Sequence, residues 1–204
     1  MEGRDLSPTP TALASLREEH QVMRDGYSFL DEKRLSLASR ILEELEPHRA
    51  VMAECESLGE EARRALEAAM GRHGYEDLKV YPPAVPAGVA EIHESKFLGV
   101  VLQEEREIDY SPGEPTPGVD PSPEAGECAR VFAHLVRLAA KRGIIEANLQ
   151  RLLDEYHDTA RRAQALEDAV LPELEDDLKY LVGAIEELEQ EEAVRARLHA
   201  PERV

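Results

Sequence analysis

The sequence predicts a mainly α fold: a long antiparallel two-helix coiled coil formed by the N- and C-terminal helices, with a small middle head containing a short β-hairpin. Three observations predict it. Near the C-terminus, Leu166, Val170, Leu174, Leu178, Leu181, Ile185 and Leu188 follow one another at steps of three or four residues. That spacing keeps them on one narrow helical face, with charge on every other side, which is a strip for a single partner helix. Near the N-terminus, Leu13, Leu16, His20, Met23, Tyr27, Leu30, Arg34, Leu37 and Ile41 alternate in the same way and supply that partner. Between the two, proline and glycine gather at residues 82–88 and 111–123, where no helix can persist.

Composition agrees. Aromatic residues make up 4% of the 204-residue chain, Trp is absent and 33% of residues are charged, so any core is thin and aliphatic. The net charge of −19 argues against binding to a phosphate backbone, which takes clustered Lys and Arg, and repels an anionic membrane surface. Cys55 and Cys128 show no metal-ligand spacing and read as small apolar packing residues on helices. No apolar run approaches the ~20 residues a membrane span needs, and the opening MEGRDLSPTPTAL has no signal-peptide core. The expectation is a soluble cytoplasmic chain that reaches a membrane only through partners.

Taken in order, three regions are expected: an N-terminal long helix over 1–72, a head over 73–126 and a C-terminal long helix over 127–200. Thr9 or Thr11 caps the first helix, and Pro10 is tolerated in its first turn. His20 interrupts the first seam, either to fix register or as an edge residue reaching water. Pro47 predicts a kink, and Gly71-Arg72-His73-Gly74 a helix stop. Lys96–Gln103 is short, apolar and β-branched and reads as one strand, with Glu107–Tyr110 as its antiparallel return. Residues 114–123 read as a loop. The second seam runs from Val131 through Leu138, Ile145, Leu152, Thr159 and Leu166 to Val170. There it slips, a stutter near Pro172. With Leu13 laid opposite Leu198, Pro47 and Pro172 fall within about two turns of each other, so a shared bend is expected.

Catalytic motifs are missing. There is no Gly-rich phosphate loop ending in Lys-Ser or Lys-Thr and no GxGxxG. Ser, His and Asp do not combine into a nucleophile context. A helical-bundle metalloprotein would need Glu-x-x-His motifs on facing helices, and none of the seven His has Glu three residues before it. The expectation is a non-catalytic chain without cofactor or metal.

Several blocks exceed what heptad spacing demands. Ser7-Pro8-Thr9 followed by Leu13 and Leu16, then Gly26-Tyr27-Ser28-Phe29-Leu30-Asp31-Glu32-Lys33-Arg34, and above all Arg161-Arg162-Ala163-Gln164-Ala165-Leu166-Glu167 with Pro172, Leu174 and Lys179-Tyr180-Leu181, resemble the D subunit of the V-type and archaeal/bacterial A-type rotary ATPases. Gly99-Val100-Val101-Leu102 resembles the strand of that family's head hairpin, with Gln103 where proline is usual. The shaft is more acidic than is common in the family: Pro10 replaces an early basic residue, and the closing helix ends in Val194-Arg195-Ala196-Arg197-Leu198.

The resemblance implies a central-stalk rotor that transmits torque between ATP turnover in a catalytic A/B hexamer and ion translocation through a membrane ring. The implied partners are that hexamer, the small F subunit at the head hairpin, and a funnel subunit of C/d type on the ring, with no nucleic acid and no direct membrane insertion. The implied location is the cytoplasm, peripheral to the membrane as part of the complex. Family-implied interaction residues are Gly26, Lys33, Arg34, Gly99, Val100, Arg161, Arg162, Glu167 and Lys179. A generic coiled-coil scaffold or chaperone-like hairpin explains both seams equally well, but not the Arg-Arg-x-x-Ala-Leu-Glu block.

Overall fold

The computed structural model describes residues 7–79, 81, 85–86, 92–105, 110–111 and 122–198. Helix α1 covers Pro10–Leu78. Thr9 is its cap: the Oγ1 accepts the Ala12 N–H at 3.1 Å and the carbonyl accepts the Leu13 N–H at 3.0 Å. Pro10 then occupies the first helical position, where its missing N–H costs nothing. Pro47 lies inside α1, while helical dihedrals fail at Gly74, with φ 75° and ψ 164°, a backbone conformation that favours glycine. Strands β1 (Val85–Pro86), β2 (Ile92–Phe97), β3 (Val100–Glu105) and β4 (Tyr110–Ser111) follow. Helix α2 covers Pro123–Ala165, a π-helical turn Leu166–Val170, and α3 Leu171–Leu198.

Helix α2 starts four residues before the expected Glu127. Ser122 caps it: its carbonyl accepts the Gly126 N–H at 2.9 Å and its Oγ the Ala125 N–H at 3.3 Å. Ser-Pro-Glu is thus a helix start, with Pro123 again in the first position and Glu124 in the first turn.

The chain divides into two compact units, one of residues 1–35 with 157–204, the other of residues 36–156. In the first, Leu16, Leu174 and Leu181 form a buried core, with Ala12, Leu13, Met23, Val170 and Leu178 packed against it. Gly26 faces Leu166, so within this unit the two segments run antiparallel. Their register differs from the expected one. Leu13 packs against the cluster of Leu16, Leu174 and Leu181, while Leu198, its expected partner, is 77% exposed. Heptad spacing defines a face but not an axial position, so a shift along the seam leaves the pattern intact. The ground for pairing Pro47 with Pro172 came from that register and falls with it. From Glu186 to Leu198 every residue of α3 is exposed.

The π turn accounts for the slip in the second seam. The Leu171 N–H bonds to the Leu166 carbonyl, five residues back. Thr159, Leu174 and Leu181 are among the most buried side chains. Leu174 and Leu181 are one heptad apart, but Thr159 and Leu174 are separated by two heptads plus one residue. The wide turn absorbs that extra residue, so the buried face stays in phase across it.

Thr159 is fully buried and its Oγ1 has no hydrogen-bond partner. An unpaired buried hydroxyl costs free energy that an isosteric methyl does not. Thr159→Val is expected to stabilise by about 1 kcal/mol, read as a higher denaturation midpoint. A lower midpoint would show that the hydroxyl is used.

In the second unit α1 and α2 share a core of Val51, Leu58, Ala62, Val131, Leu138, Ile145 and Leu149. His48 and Arg142 meet Glu146 at 3.1 and 2.7 Å. Together, Arg142 first, they hold its carboxyl below the usual range. At the far end of α1, Arg72 Nη1 donates to both Glu124 oxygens at 2.9 Å.

β2 and β3 form an antiparallel hairpin with register from Phe97↔Val100 to Ile92↔Glu105. The apolar run at 96–103 is therefore not one strand but the two sides of a turn at Leu98-Gly99. Both turn residues have positive φ, 48° and 94°, which matches the twist of a two-residue hairpin. Tyr110 does not return along β3; it pairs with Pro86, and Ser111 with Val85. The expected return residues 107–109, most of the expected loop at 114–123, and the terminal residues 1–6 and 199–204 lie outside the described residues.

Candidate partner interface

The hairpin is held on the helices of its own unit by three kinds of contact. Strand alternation points Val100 and Leu102 inward, where they form a buried cluster with Leu37 of α1 and Leu152 of α2. Ile41, Phe97 and Tyr156 pack around it. The Arg40 guanidinium lies 6.0 Å from the Phe97 ring centroid, and its terminal nitrogens reach Glu43 and Glu44 at 3.4 and 2.6 Å.

The third contact is an amide clamp. The Gln103 N–H donates to Asn148 Oδ1 at 2.8 Å, and Asn148 Nδ2 donates to the Gln103 carbonyl at 2.7 Å. Arg151 Nη1 also donates to Asn148 Oδ1, at 3.1 Å. One buried side-chain amide thus does for the edge of β3 what a neighbouring strand would do, satisfying both backbone groups of one residue. The outer edge of β2 has no strand partner among the described residues.

At the hairpin tip, Leu98 has φ 48° and is 42% exposed. A branched apolar residue rarely sits at positive φ, where Asn or Gly is favoured, and the conformation costs about 1 kcal/mol. Neither local conformation nor burial explains a leucine there.

The residues singled out in the sequence fall in both units. Gly99 is the second turn residue of the hairpin, and Val100 faces the helix core. In the other unit, a Cβ on Gly26 would lie 4.0 Å from Leu166 Cδ1, ordinary contact, so alanine would fit there. Beside it, partial burial first, then the charge and hydrogen bond of Glu167, push the Tyr27 hydroxyl pKa up. The structure therefore brings the Gly26-Tyr27 and Leu166-Glu167 blocks together, at the π turn. Arg34 bonds Asp31 at 2.6 Å, Lys179 bonds Asp176 at 2.9 Å, and Arg161 pairs with Asp158. The Asp176 hydrogen bond is the main cause of a raised Lys179 pKa. Lys33 is half-buried, and Arg162 is exposed in the last turn of α2. Sequence reading misses Asn148: it sits beside the seam residue Leu149, and nothing in its spacing marks it.

Among the described residues no helix is long and apolar enough to cross a membrane, and no three His, Cys, Asp or Glu side chains are grouped to hold a metal ion.

A two-helix coiled coil carrying a β-hairpin against its flank defines a helical-hairpin class of protein. Residues 12–199 match the family described as the D subunit of ATP synthase. The chain is 29% identical to the D subunit of the V-type ATP synthase of Thermotoga neapolitana, over 94% of this chain and 95% of that protein. It is 26% identical to the D subunit of the A-type ATP synthase of Haloarcula marismortui, over 95% and 86%, and 26% identical to that of Methanosarcina mazei, over 97% and 96%. The chain belongs to the ATP synthase D-subunit family and is a component of a V/A-type ATPase.

Proposed function

We propose that this chain is the central rotor shaft of its ATPase, turning within the catalytic A/B hexamer and passing torque to the membrane ring through a funnel subunit. The observation that carries the proposal is the antiparallel pairing of the two chain ends along a narrow apolar seam at Leu16, Leu174 and Leu181. A paired seam stiffens a thin element. Asymmetry around the axis lets each catalytic site meet a different face and favour a different nucleotide state. Nucleotide chemistry stays in the hexamer, and this chain contributes no catalytic residue.

In this reading residues 1–72 and 127–200 are the two arms of the shaft and 73–126 its head. Lys33, Arg34, Arg161, Arg162, Glu167 and Lys179 lie along the arms as candidate contacts for the hexamer, with Gly26 beside the π turn. The chain is peripheral to the membrane on the cytoplasmic side. The test is rotation. Immobilised hexamer with a bead on this chain should show ATP-driven turning, and a cross-link from this chain to the hexamer should stop coupled turnover. Full turnover with the cross-link in place would refute a shaft.

The small F subunit is assigned to the hairpin. The exposed Leu98 at positive φ is what a contact residue kept at local cost looks like. Leu98→Asn is expected to stabilise the tip by up to about 1 kcal/mol and to weaken binding of the F subunit by about tenfold. Unchanged affinity would take the tip out of the interface.

A further inference from the structure

We infer that the unit of residues 1–35 with 157–204 opens on its own while residues 36–156 stay folded, and that enclosure by the catalytic hexamer closes it. The second half of the inference rests on the reading of the chain as a rotor shaft.

The two units are unequally built. Among the described residues the first buries Leu16, Ala163, Leu174 and Leu181, and with them Thr159, whose hydroxyl has no hydrogen-bond partner. Leucines at three positions are thus its large buried apolar side chains. Burial of this kind has to offset the conformational entropy of every residue it orders. The second unit sets against the same cost a core that runs from Val51 to Leu149 and a further cluster around Leu37 and Leu152.

Polar ties follow the same division. In the second unit Arg72 of α1 donates to both oxygens of Glu124 of α2, His48 meets Glu146, and Asn148 clamps Gln103. In the first, Arg34, Arg161 and Lys179 each pair with an aspartate three residues away on the same helix, which ties nothing across. His20 lies 3.7 Å from Glu175, beyond hydrogen-bond range. A Tyr27–Glu167 hydrogen bond does cross, but at the π turn, where none of the residues Leu166–Val170 is buried. Farther on, from Glu186 to Leu198, every residue of α3 is exposed. A helix without a packed face holds little stability of its own. Few buried apolar groups and solvent-exposed backbone hydrogen bonds mark a segment that opens below the global unfolding free energy. A hexamer that binds only the closed arms adds its binding free energy to their stability. The shaft is then stiff where it is surrounded.

The test is amide hydrogen exchange on the full chain alone and on the same chain in the assembled ATPase. Alone, peptides from 10–35 and 157–198 are expected to exchange at least about tenfold faster than those from 51–62 and 131–152. In the ATPase the first set is expected to slow at least about tenfold. In the free chain Thr159→Val should slow the first set and leave the second unchanged, and Leu152→Ala should speed the second and leave the first unchanged. Equal protection of the two sets in the free chain, or a Thr159→Val effect spread over both, overturns separate opening and leaves the shaft reading intact. Arms that exchange as fast in the ATPase as alone overturn the closure; the shaft reading falls with it only if the bead also fails to turn.

Discussion

Leu152→Ala is expected to destabilise the unit that carries the hairpin by about 2–5 kcal/mol. Leu152 is fully buried and is the α2 contribution to the cluster with Leu37, Val100 and Leu102. Truncation removes the transfer free energy of the lost carbons and leaves a cavity. The strands on one side and α1 on the other are fixed by separate contacts and cannot both close in. The loss should appear in denaturant unfolding as a lower midpoint with unchanged slope, and in faster amide exchange across β2 and β3. Leu153→Ala, at an adjacent position that is 36% exposed, is the control and should change stability by no more than about 0.5 kcal/mol. Equal losses at both sites would mean that the hairpin is not seated on Leu152.

Leu174→Asp should be at least as damaging, at about 4 kcal/mol or more, because a carboxylate would enter an apolar core with no cation to pair it. Leu174 is 2% exposed among Leu16 and Leu181. The informative companion is Leu188→Asp. By spacing alone Leu188 belongs to the same seam, and with Leu13 opposite Leu198 it would be buried. Here it is 45% exposed, so the substitution should shift stability by no more than about 0.5 kcal/mol. Comparable melting losses for the two would restore the other register.

The contrast between these leucines marks how far sequence reading reaches. The two seams, a threonine cap at Thr9 or Thr11 and the class of fold were legible because each depends on local chemistry: helical period, a side-chain oxygen beside the first turn, proline where no helix survives. The axial match of the seams was not legible, since apolar positions repeat and shifted pairings look alike. Sequence alone makes the hairpin one strand because Leu98 carries no turn signal. Only Gly99 hints at the reversal, and a leucine at positive φ runs against turn chemistry. Of the candidate interface, the Leu166-Glu167 block was visible as sequence, but its contact with Gly26 and Tyr27 needed the register. Asn148 was invisible for another reason. Its role depends on Gln103 of β3, which is 45 residues away in the chain.

The wide turn at Leu166–Val170 bears on how this arm tolerates changes in length. Elsewhere in a straight α-helix, one added or deleted residue rotates everything beyond it by about 100° and turns buried leucines toward water. At this turn a surplus residue is already housed, with Thr159 on one side and Leu174 on the other both still facing inward. It acts as an expansion joint, taking up a miscount in the chain without passing the error to the leucines that follow.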